Sequence, residues 1–175
     1  MTSTNNLAML SATQMLTLFA TKELSPVEVT RACLDQISKF DSEVNAFSLV
    51  DEEGALASAV RSEERWQCGE PCGMLDGVPT TIKDLLITKG WPTMRGSKTT
   101  DPNMACDEDA PAVERLKEHG AVLLGKTTTP EFGWKGVTDN PLTGITRNPW
   151  NTNLTSGGSS GGAAVAAALG MGALH

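Results

Sequence analysis

Residues 155–162 read Thr-Ser-Gly-Gly-Ser-Ser-Gly-Gly and run directly into the alanine-rich segment 163–170. Glycine allows backbone torsions that other residues avoid and lets the chain approach a ligand closely. The start of a helix presents unpaired N–H groups and a positive dipole end, which suit developing negative charge. Two adjacent hydroxyls, Ser159 and Ser160, could relay protons there. We therefore take this segment as the candidate catalytic loop. The alternative, a flexible linker, fits poorly with the helix-forming alanines that follow.

Length, composition and charge limit the class of protein. The chain has 175 residues, enough for one domain with a hydrophobic core. Its hydrophobic content of 39% and charged content of 20% are those of a soluble globular protein. A net charge of −7 without a Lys/Arg cluster argues against nucleic acid or an anionic membrane as a direct partner. No apolar run is long enough to span a bilayer.

The four cysteines, Cys33, Cys68, Cys72 and Cys106, are scattered along the chain. No charged segment precedes an apolar core at the start, as a secretion signal would require, so we predict free thiols in a reducing cytoplasm. The spacing of Cys68 and Cys72 could suggest half of a metal site. No second His/Cys pair lies at ligand spacing, so we expect neither a metal nor another cofactor.

The elements that would position the loop alternate between helices and short apolar strands. Ser25 and Glu28 form a capping box around Pro26, which predicts a helix start. Helices are predicted over residues 6–20, from Pro26 onward, over 55–66 and over 109–118, and strands over 45–50, 80–82 and 121–124. This alternation predicts an α/β layered fold.

The later part of the chain carries two further local signals. Asp107 or Asp109 is expected near the N-terminal cap of the last of these helices, and Gly120 is expected to close it. Residues 127–153 form a long segment rich in Gly, Pro, Thr and Asn, which we interpret as irregular. Segments of that length without regular structure are often functional.

Residues 120–127, Gly-Ala-Val-Leu-Leu-Gly-Lys-Thr, fit the phosphate-loop pattern letter for letter. That pattern requires a loop between a strand and a helix. Here the variable positions are themselves strand-like, and Pro130 follows shortly afterwards instead of a helix body. We therefore reject nucleotide binding as the main interpretation and keep a phosphate-binding protein as an alternative.

Five segments in a fixed order resemble the amidase signature family. They are residues 75–84 (Leu-Asp-Gly-Val-Pro-Thr-Thr-Ile-Lys-Asp), 120–127, 130–133 (Pro-Glu-Phe-Gly), 146–151 (Thr-Arg-Asn-Pro-Trp-Asn) and 157–162 with the helix after it. Each segment alone is a weak signal. The ordered set is highly specific and covers most of the chain from Ser25 onward.

The resemblance implies amide hydrolysis by a Ser–cis-Ser–Lys triad. By motif position, Lys83 is the catalytic lysine and Ser159 the bridging serine, with a cis peptide bond from Gly158. The residues implied to shape the relay are Ser160, Gly157, Gly158 and Gly161. Gly133 is implied to line the acyl pocket of a small-molecule amide substrate.

Physical reasoning is consistent with these roles. A serine nucleophile needs a base, and a lysine serves as one only when it is neutral. A lysine is neutral near pH 7 only if it is desolvated or placed beside other cations. The end of a strand beneath a Gly/Ser loop is a plausible place for that. Without the surrounding motif, a surface lysine next to Asp84 would be the expected interpretation of Lys83.

The chain departs from the family in length. The family's nucleophilic serine and oxyanion hole belong to a Gly-rich Ser-Ile-Arg-like segment beyond residue 175. We therefore expect a single, incomplete amidase signature domain over 1–175, with an α/β/α layered fold around a mixed β-sheet. Residues 1–66 would be mainly helical, and 75–175 would hold the sheet and the catalytic loop. The chain alone should not hydrolyse amides.

Three alternatives remain open beside a stand-alone amidase. One is the subunit of a tRNA-dependent amidotransferase that works on charged tRNA together with partner chains. Another is a non-catalytic, truncated amidase-like protein, and the third is the phosphate-binding protein. A truncated sheet should also expose an apolar edge, through which the chain could form a homodimer.

Overall fold

The computed structural model describes residues 7–103 and 106–175. Its helices are α1 (Ala12–Ala20), α2 (Pro26–Val44), α3 (Glu52–Cys68), α4 (Pro111–Glu118) and α5 (Gly161–Leu169). Its strands are β1 (Phe47–Val50), β2 (Pro79–Lys83), β3 (Val122–Thr127), β4 (Asp139–Asn140), β5 (Gly144–Ile145), β6 (Arg147–Asn148) and β7 (Asn151–Thr155). Two short 3-10 turns, Leu7–Met9 and Glu131–Gly133, complete the order.

Two capping boxes set the start of the first two helices. The box predicted at Ser25 is present, with Glu28 as its partner, and α2 begins at Pro26 as expected. The single helix predicted over residues 6–20 is wrong. A turn at Leu7–Met9 precedes α1, because Ser11 accepts from the backbone N–H of Gln14 and starts a new helix. Asn6 lies outside the described residues.

The helix predicted from Asp109 begins two residues later. Ala110 precedes α4, whose first residue is Pro111, and no side chain among the described residues caps that end. The Asp109 carboxylate instead accepts from the backbone N–H of Lys89 at 2.7 Å and from Lys117 Nζ at 2.8 Å. Its charge therefore ties α4 to a neighbouring loop. Gly120, with φ +81°, follows the helix as predicted.

The main sheet has three strands in the order β1-β3-β2. β2 and β3 are parallel, whereas β1 and β3 are antiparallel, so the sheet is mixed, as the family resemblance implied. β3 extends beyond the predicted 121–124 and includes Gly125, Lys126 and Thr127. Because these residues pair with strands on both sides, their backbone cannot form a phosphate-binding loop.

Side chains of β3 pack against helices on both faces of the sheet. Val122 and Leu124 belong to a core that includes residues of α1, α2, α3 and α5. Leu123 points to the other face and packs with Ile82 and with Val113 of α4. Strands covered on both faces read as continuous apolar runs, which explains the sequence of β3. The predicted α/β/α layering is confirmed.

A bulge in β3 interrupts the register between the two parallel strands. Thr80 lies opposite Leu123, but the next residue, Thr81, lies opposite Gly125. Leu124 is therefore the extra residue on one strand. An extra residue breaks the strict alternation of side chains between the two faces of a strand.

The bulge decides which side chains share a face at the carboxyl ends of the strands. After it, Ile82 is level with Lys126, and Lys83 is level with Thr127. Since Ile82 packs with α4, Lys126 lies on the α4 face. Lys83 lies on the opposite face, where α5 packs.

Residues 127–153 are less irregular than predicted. β4 pairs with β5 and β6 pairs with β7, each antiparallel, with the first pair formed by Asp139–Asn140 and Gly144–Ile145. Most of these strands are two residues long, which is too short to leave a period-two pattern in the sequence.

Three further features were considered from the sequence: the state of the cysteines, a metal site and a membrane-spanning helix. All four cysteines are free thiols, as predicted. No group of three or more His, Cys, Asp and Glu side chains suited to a metal occurs within residues 7–103 and 106–175. Over the same residues, none of the helices combines the length and the apolar character needed to cross a bilayer.

Candidate active site

The structure brings together the lysine and the two serines that the sequence marked. Lys83 is the last residue of β2, and its Nζ lies 2.7 Å from Ser159 Oγ and 2.9 Å from Ser160 Oγ. Lys83 and Ser159 are 76 residues apart in sequence. The parallel pairing of β2 with β3 and the docking of α5 against the sheet create this contact.

The serines stand at the amino-terminal end of α5, and the peptide bond between Gly158 and Ser159 is cis. Ser160 is the N-cap residue, and the helix body begins at Gly161. The first N–H groups of a helix have no partner within it, so this end favours negative charge. The site therefore combines the serine hydroxyls, the Lys83 amine and the positive dipole end of α5.

Different physical reasons require glycine at different positions of the loop. Gly157 has φ +78° and open space around its Cβ position, so its backbone conformation is what favours glycine. Gly158 is different, because a Cβ there would lie 2.7 Å from the carbonyl carbon of Val137. At Gly162 a Cβ would lie 2.5 Å from Ala46 O. Close packing against other segments thus accounts for these last two glycines.

Lys83 is partly buried, and this burial lowers the pKa of its amine. The alternative interpretation, a surface lysine beside Asp84, does not fit the structure. The Asp84 side chain is buried, accepts from the backbone N–H of Met94 at 3.1 Å, and lies 3.8 Å from Lys126 Nζ. Desolvation shifts Lys83 toward the neutral form that a base requires.

The hydrogen bonds of Lys83 suit proton transfer. A neutral amine has two N–H donors and one lone pair, so it can donate to one serine hydroxyl while accepting from the other. Ser159, if it gives its proton to Lys83, can accept one from a third group. The arrangement can therefore move a proton over two steps without a histidine.

Neither histidine forms a Ser-His-Asp arrangement. His119 follows α4, as expected, and its Nδ1 accepts from the backbone N–H of Met74 at 3.3 Å. His175 Nδ1 lies 2.8 Å from the hydroxyl of Thr81. Neither ring is hydrogen-bonded to a carboxylate among the described residues, so these histidines do not replace the lysine.

Gly133 lies at the end of the short turn Glu131–Gly133, with φ +72°. A Cβ at this position would lie 2.8 Å from Leu85 Cδ1. Leu85 follows Lys83 by two residues, so the turn packs beside the carboxyl end of β2. The role of Gly133 in an acyl pocket stays a prediction.

Sequence reasoning missed a buried lysine on the opposite face. Lys126 is fully buried, and its Nζ donates to Leu86 O at 2.7 Å and to Thr93 Oγ1 at 2.6 Å. Burial lowers its pKa to about 8. The phosphate-loop letters drew attention to this residue for the wrong chemistry, and no sequence signal marks the bulge that turns it toward α4.

Sequence reasoning also missed Thr138, whose hydroxyl contacts both ends of the serine loop. It donates to Gly157 O at 2.9 Å and accepts from the backbone N–H of Gly161 at 3.0 Å. The only hint in the sequence is its position in the long segment 127–153, which was marked as functional without singling out a residue.

Comparison with known proteins identifies relatives of this chain. The family model described as Amidase matches residues 28–174. An acylamidase of Rhodococcus erythropolis is 43% identical over 97% of this chain and 35% of its own length. A glutamyl-tRNA(Gln) amidotransferase subunit of Acidothermus cellulolyticus is 42% identical over 90% of this chain and 31% of its own length.

A solved structure shows the same fold. The bacterial aryl acylamidase described as an amidase signature enzyme superposes with a TM-score of 0.87 at 37% identity, over 94% of this chain and 34% of that one. The chain thus spans about a third of the length of the proteins that it resembles. Because the family model matches most of the chain, the chain belongs to the amidase signature family.

Proposed function

We propose that the chain supplies the base and the bridging serine of an amidase that hydrolyses a carboxylic amide to an acid and an amine or ammonia. The contact of Lys83 Nζ with the hydroxyls of Ser159 and Ser160 carries this proposal. The lowered pKa of Lys83 supports it, because only the neutral amine can accept a proton. No cofactor enters the proposed reaction.

The proposed proton path runs from a nucleophilic serine through Ser159 to Lys83. As the nucleophile's oxygen bonds to the amide carbon, its proton passes to Ser159 Oγ, and the Ser159 proton passes to Lys83 Nζ. When the C–N bond breaks, the protons return along the same path to the leaving nitrogen. Water then cleaves the acyl ester by the same relay. The nucleophile is expected in the Ser-Ile-Arg-like segment outside these 175 residues.

The substrate class follows from the relatives only in outline. The acylamidase supports a small-molecule amide as substrate of a stand-alone enzyme. The amidotransferase relative is similar to nearly the same degree, so the second candidate is an amidotransferase component that works on charged tRNA with partner chains. A homodimer, a cytoplasmic location and the domain division at 1–66 and 75–175 stay predictions.

The test uses the full-length protein that contains this chain, labelled with a serine-directed fluorophosphonate and assayed on acyl amides. We expect covalent labelling outside residues 1–175. In Lys83→Ala, we expect amide turnover to fall by about 10²- to 10⁴-fold, the usual contribution of a general base. Turnover that survives this substitution would refute Lys83 as the base. Absence of both labelling and turnover in the wild type would favour the non-catalytic alternative.

A second measurement separates the two enzymatic candidates. Affinity purification of the full-length protein from its own cells should yield it without stoichiometric partner chains if it is a stand-alone amidase. Co-purification of further subunits, with amide hydrolysis coupled to charged tRNA, would support the amidotransferase instead.

A further inference from the structure

The Thr138 side chain is almost completely buried, with 1% of its surface exposed. Its hydroxyl donates to Gly157 O at 2.9 Å and accepts from Gly161 N–H at 3.0 Å. The three residues between these contacts include Ser159 and Ser160. One hydroxyl from a distant segment therefore closes a ring around the serines that contact Lys83.

The backbone of the Thr138 segment lies directly beneath the serine loop. A Cβ on Gly158 would lie 2.7 Å from the carbonyl carbon of Val137 and 2.9 Å from Thr138 Oγ1. A Cβ on Gly161 would lie 2.6 Å from the Cβ of Thr138. The glycines on both sides of the serines are thus matched to this one threonine.

Thr138 also takes the place of a helix cap. The first N–H groups of a helix need partners from outside it, and a side chain at the N-cap usually supplies one. Within the described residues, the N-cap Ser160 makes no such bond at α5, and its hydroxyl contacts Lys83 Nζ instead. The Gly161 N–H is satisfied by Thr138, so Ser160 is left available to the lysine.

The segment that carries Thr138 is itself fixed to the core. The carbonyl of Thr138 accepts from the backbone N–H of Thr146 at 2.9 Å. The Thr146 hydroxyl, which is buried, donates to Asn45 O at 2.7 Å at the end of α2. Ser156, just before the loop, donates to Thr146 O at 3.2 Å. The segment that carries Thr138 is therefore anchored to the core, which fixes the position of the hydroxyl that contacts the loop.

We propose that Thr138 is a positioning residue that holds Ser159 and Ser160 in place for Lys83 by bonding to the backbone on both sides of them. The proposal rests on the proposed function only in calling Lys83 a base; the hydrogen-bonded ring can be tested without it. The Thr138 hydroxyl can donate to Gly157 O and accept from Gly161 N–H at the same time. Valine, which has nearly the same shape, can do neither.

The test compares Thr138→Val with Thr138→Ser in the full-length protein. Trace acetylation with acetic anhydride at a series of pH values, followed by mass spectrometry, gives the pH at which Lys83 becomes reactive. In Thr138→Val a loosened loop should admit water, so this midpoint should rise toward that of an ordinary lysine. Amide turnover should fall by about 10- to 100-fold, because small displacements of catalytic groups are costly. Thr138→Ser should behave like the wild type in both measurements.

Ser62→Ala is the matched control. The buried Ser62 hydroxyl donates to Asp76 Oδ1 at 2.6 Å, in a network that shares no residue with the loop. Its loss should lower the free energy of unfolding without changing the Lys83 profile. If Ser62→Ala moved that profile as far as Thr138→Val, general destabilisation would explain both results and the proposal would fail.

The outcomes separate this proposal from the proposed function. A shifted Lys83 profile in Thr138→Val, in a protein that hydrolyses no amide, would support positioning and refute the amidase. Normal amide turnover with an unchanged profile in that variant would refute positioning alone. If Thr138→Val does not fold, hydrogen exchange of the wild type decides the matter: the Gly161 amide should be protected, and rapid exchange there would overturn the proposal.

Discussion

Lys83 and Lys126 stand near the carboxyl ends of adjacent parallel strands, and burial lowers the pKa of both. Their partners differ. Lys83 is partly exposed and contacts two serine hydroxyls on the α5 face. Lys126 is fully buried on the other face and contacts a carbonyl, one threonine hydroxyl and, at 3.8 Å, the Asp84 carboxylate.

Since burial lowers the pKa of both lysines, a low pKa does not by itself distinguish the proposed catalytic lysine from a structural one. Lys126 has a pKa lowered to about 8, yet its neighbours fix it in place and leave no open path to a substrate. Lys83 has partners that can each accept and donate a proton, at a helix end that is open to solvent. Chemical role therefore follows from the partners and the access, and pKa adds support.

The largest expected effect concerns the hydroxyl beside Lys83. In the full-length protein, Ser159→Ala should lower amide turnover by about 10²- to 10⁴-fold, because the proton path to Lys83 is interrupted. The free energy of unfolding should change little, since Ser159 is only partly buried. Steady-state kinetics and urea denaturation measure the two quantities. If Ser159→Ala instead lowered the free energy of unfolding substantially, Ser159 would have a structural role, as Lys126 does on the other face.

Removal of the other lysine should mainly affect folding. Lys126→Ala leaves the buried Asp84 carboxylate without its cation and opens a cavity, so we expect a loss of about 3–5 kcal/mol in the free energy of unfolding. Lys83→Ala is the matched control and should cost far less. Urea denaturation of both variants provides the comparison. Similar losses from the two substitutions would contradict the assigned difference.

A smaller effect tests whether the two faces are independent. Asp84→Asn removes the charge near Lys126 and weakens the acceptor for Met94 N–H, which should cost about 1–3 kcal/mol of stability. The pH profile of Lys83 acetylation should stay where it is, because Asp84 makes its contacts on the Lys126 side. A shifted Lys83 profile would show that the two sites are coupled.

The smallest effect is the pH dependence of stability. Folding lowers the pKa of Lys126 from 10.5 to about 8, so between these values the unfolded protein binds more protons than the folded protein. The free energy of unfolding should therefore rise with pH over this range. Below it, the cost of burying the charged amine is present in full. Lys83 contributes with the same sign. Urea midpoints at about pH 7.5 and about pH 9.5, on either side of the folded-state pKa, should show a smaller rise in Lys126→Met than in Lys83→Met.

Local chemistry allowed much of the fold to be predicted from the sequence. The start of α2 is fixed within one turn. Ser25 and Glu28 each accept from the other's backbone N–H, and Pro26 occupies the first helical position. The apolar run of β3 marks a strand covered on both faces. The break at Ser11 was missed because the apolar periodicity continues across it.

The site depended on contacts between distant residues. The pairing of Lys83 with Ser159 was inferred from the family resemblance, since no local pattern links residues 76 positions apart. Thr138 was missed because its partners lie 19 and 23 residues away, and a buried threonine has no signature of its own. Lys126 was missed because the predicted strand ended at Leu124, whereas β3 continues to Thr127.

The bulge at Leu124 has a consequence for the engineering of β3. Regular pairing without the bulge would place Lys126 level with Lys83 and on the same face; the additional residue instead places Lys126 on the α4 face, apart from the serine hydroxyls. Deleting Leu124 would remove the bulge and still leave Gly125, Lys126 and Thr127 opposite Thr81, Ile82 and Lys83, on their present faces. A single deletion there should therefore keep the register at the cost of one buried apolar side chain, whereas one further residue inserted between Leu124 and Lys126 would move Lys126 to the other face.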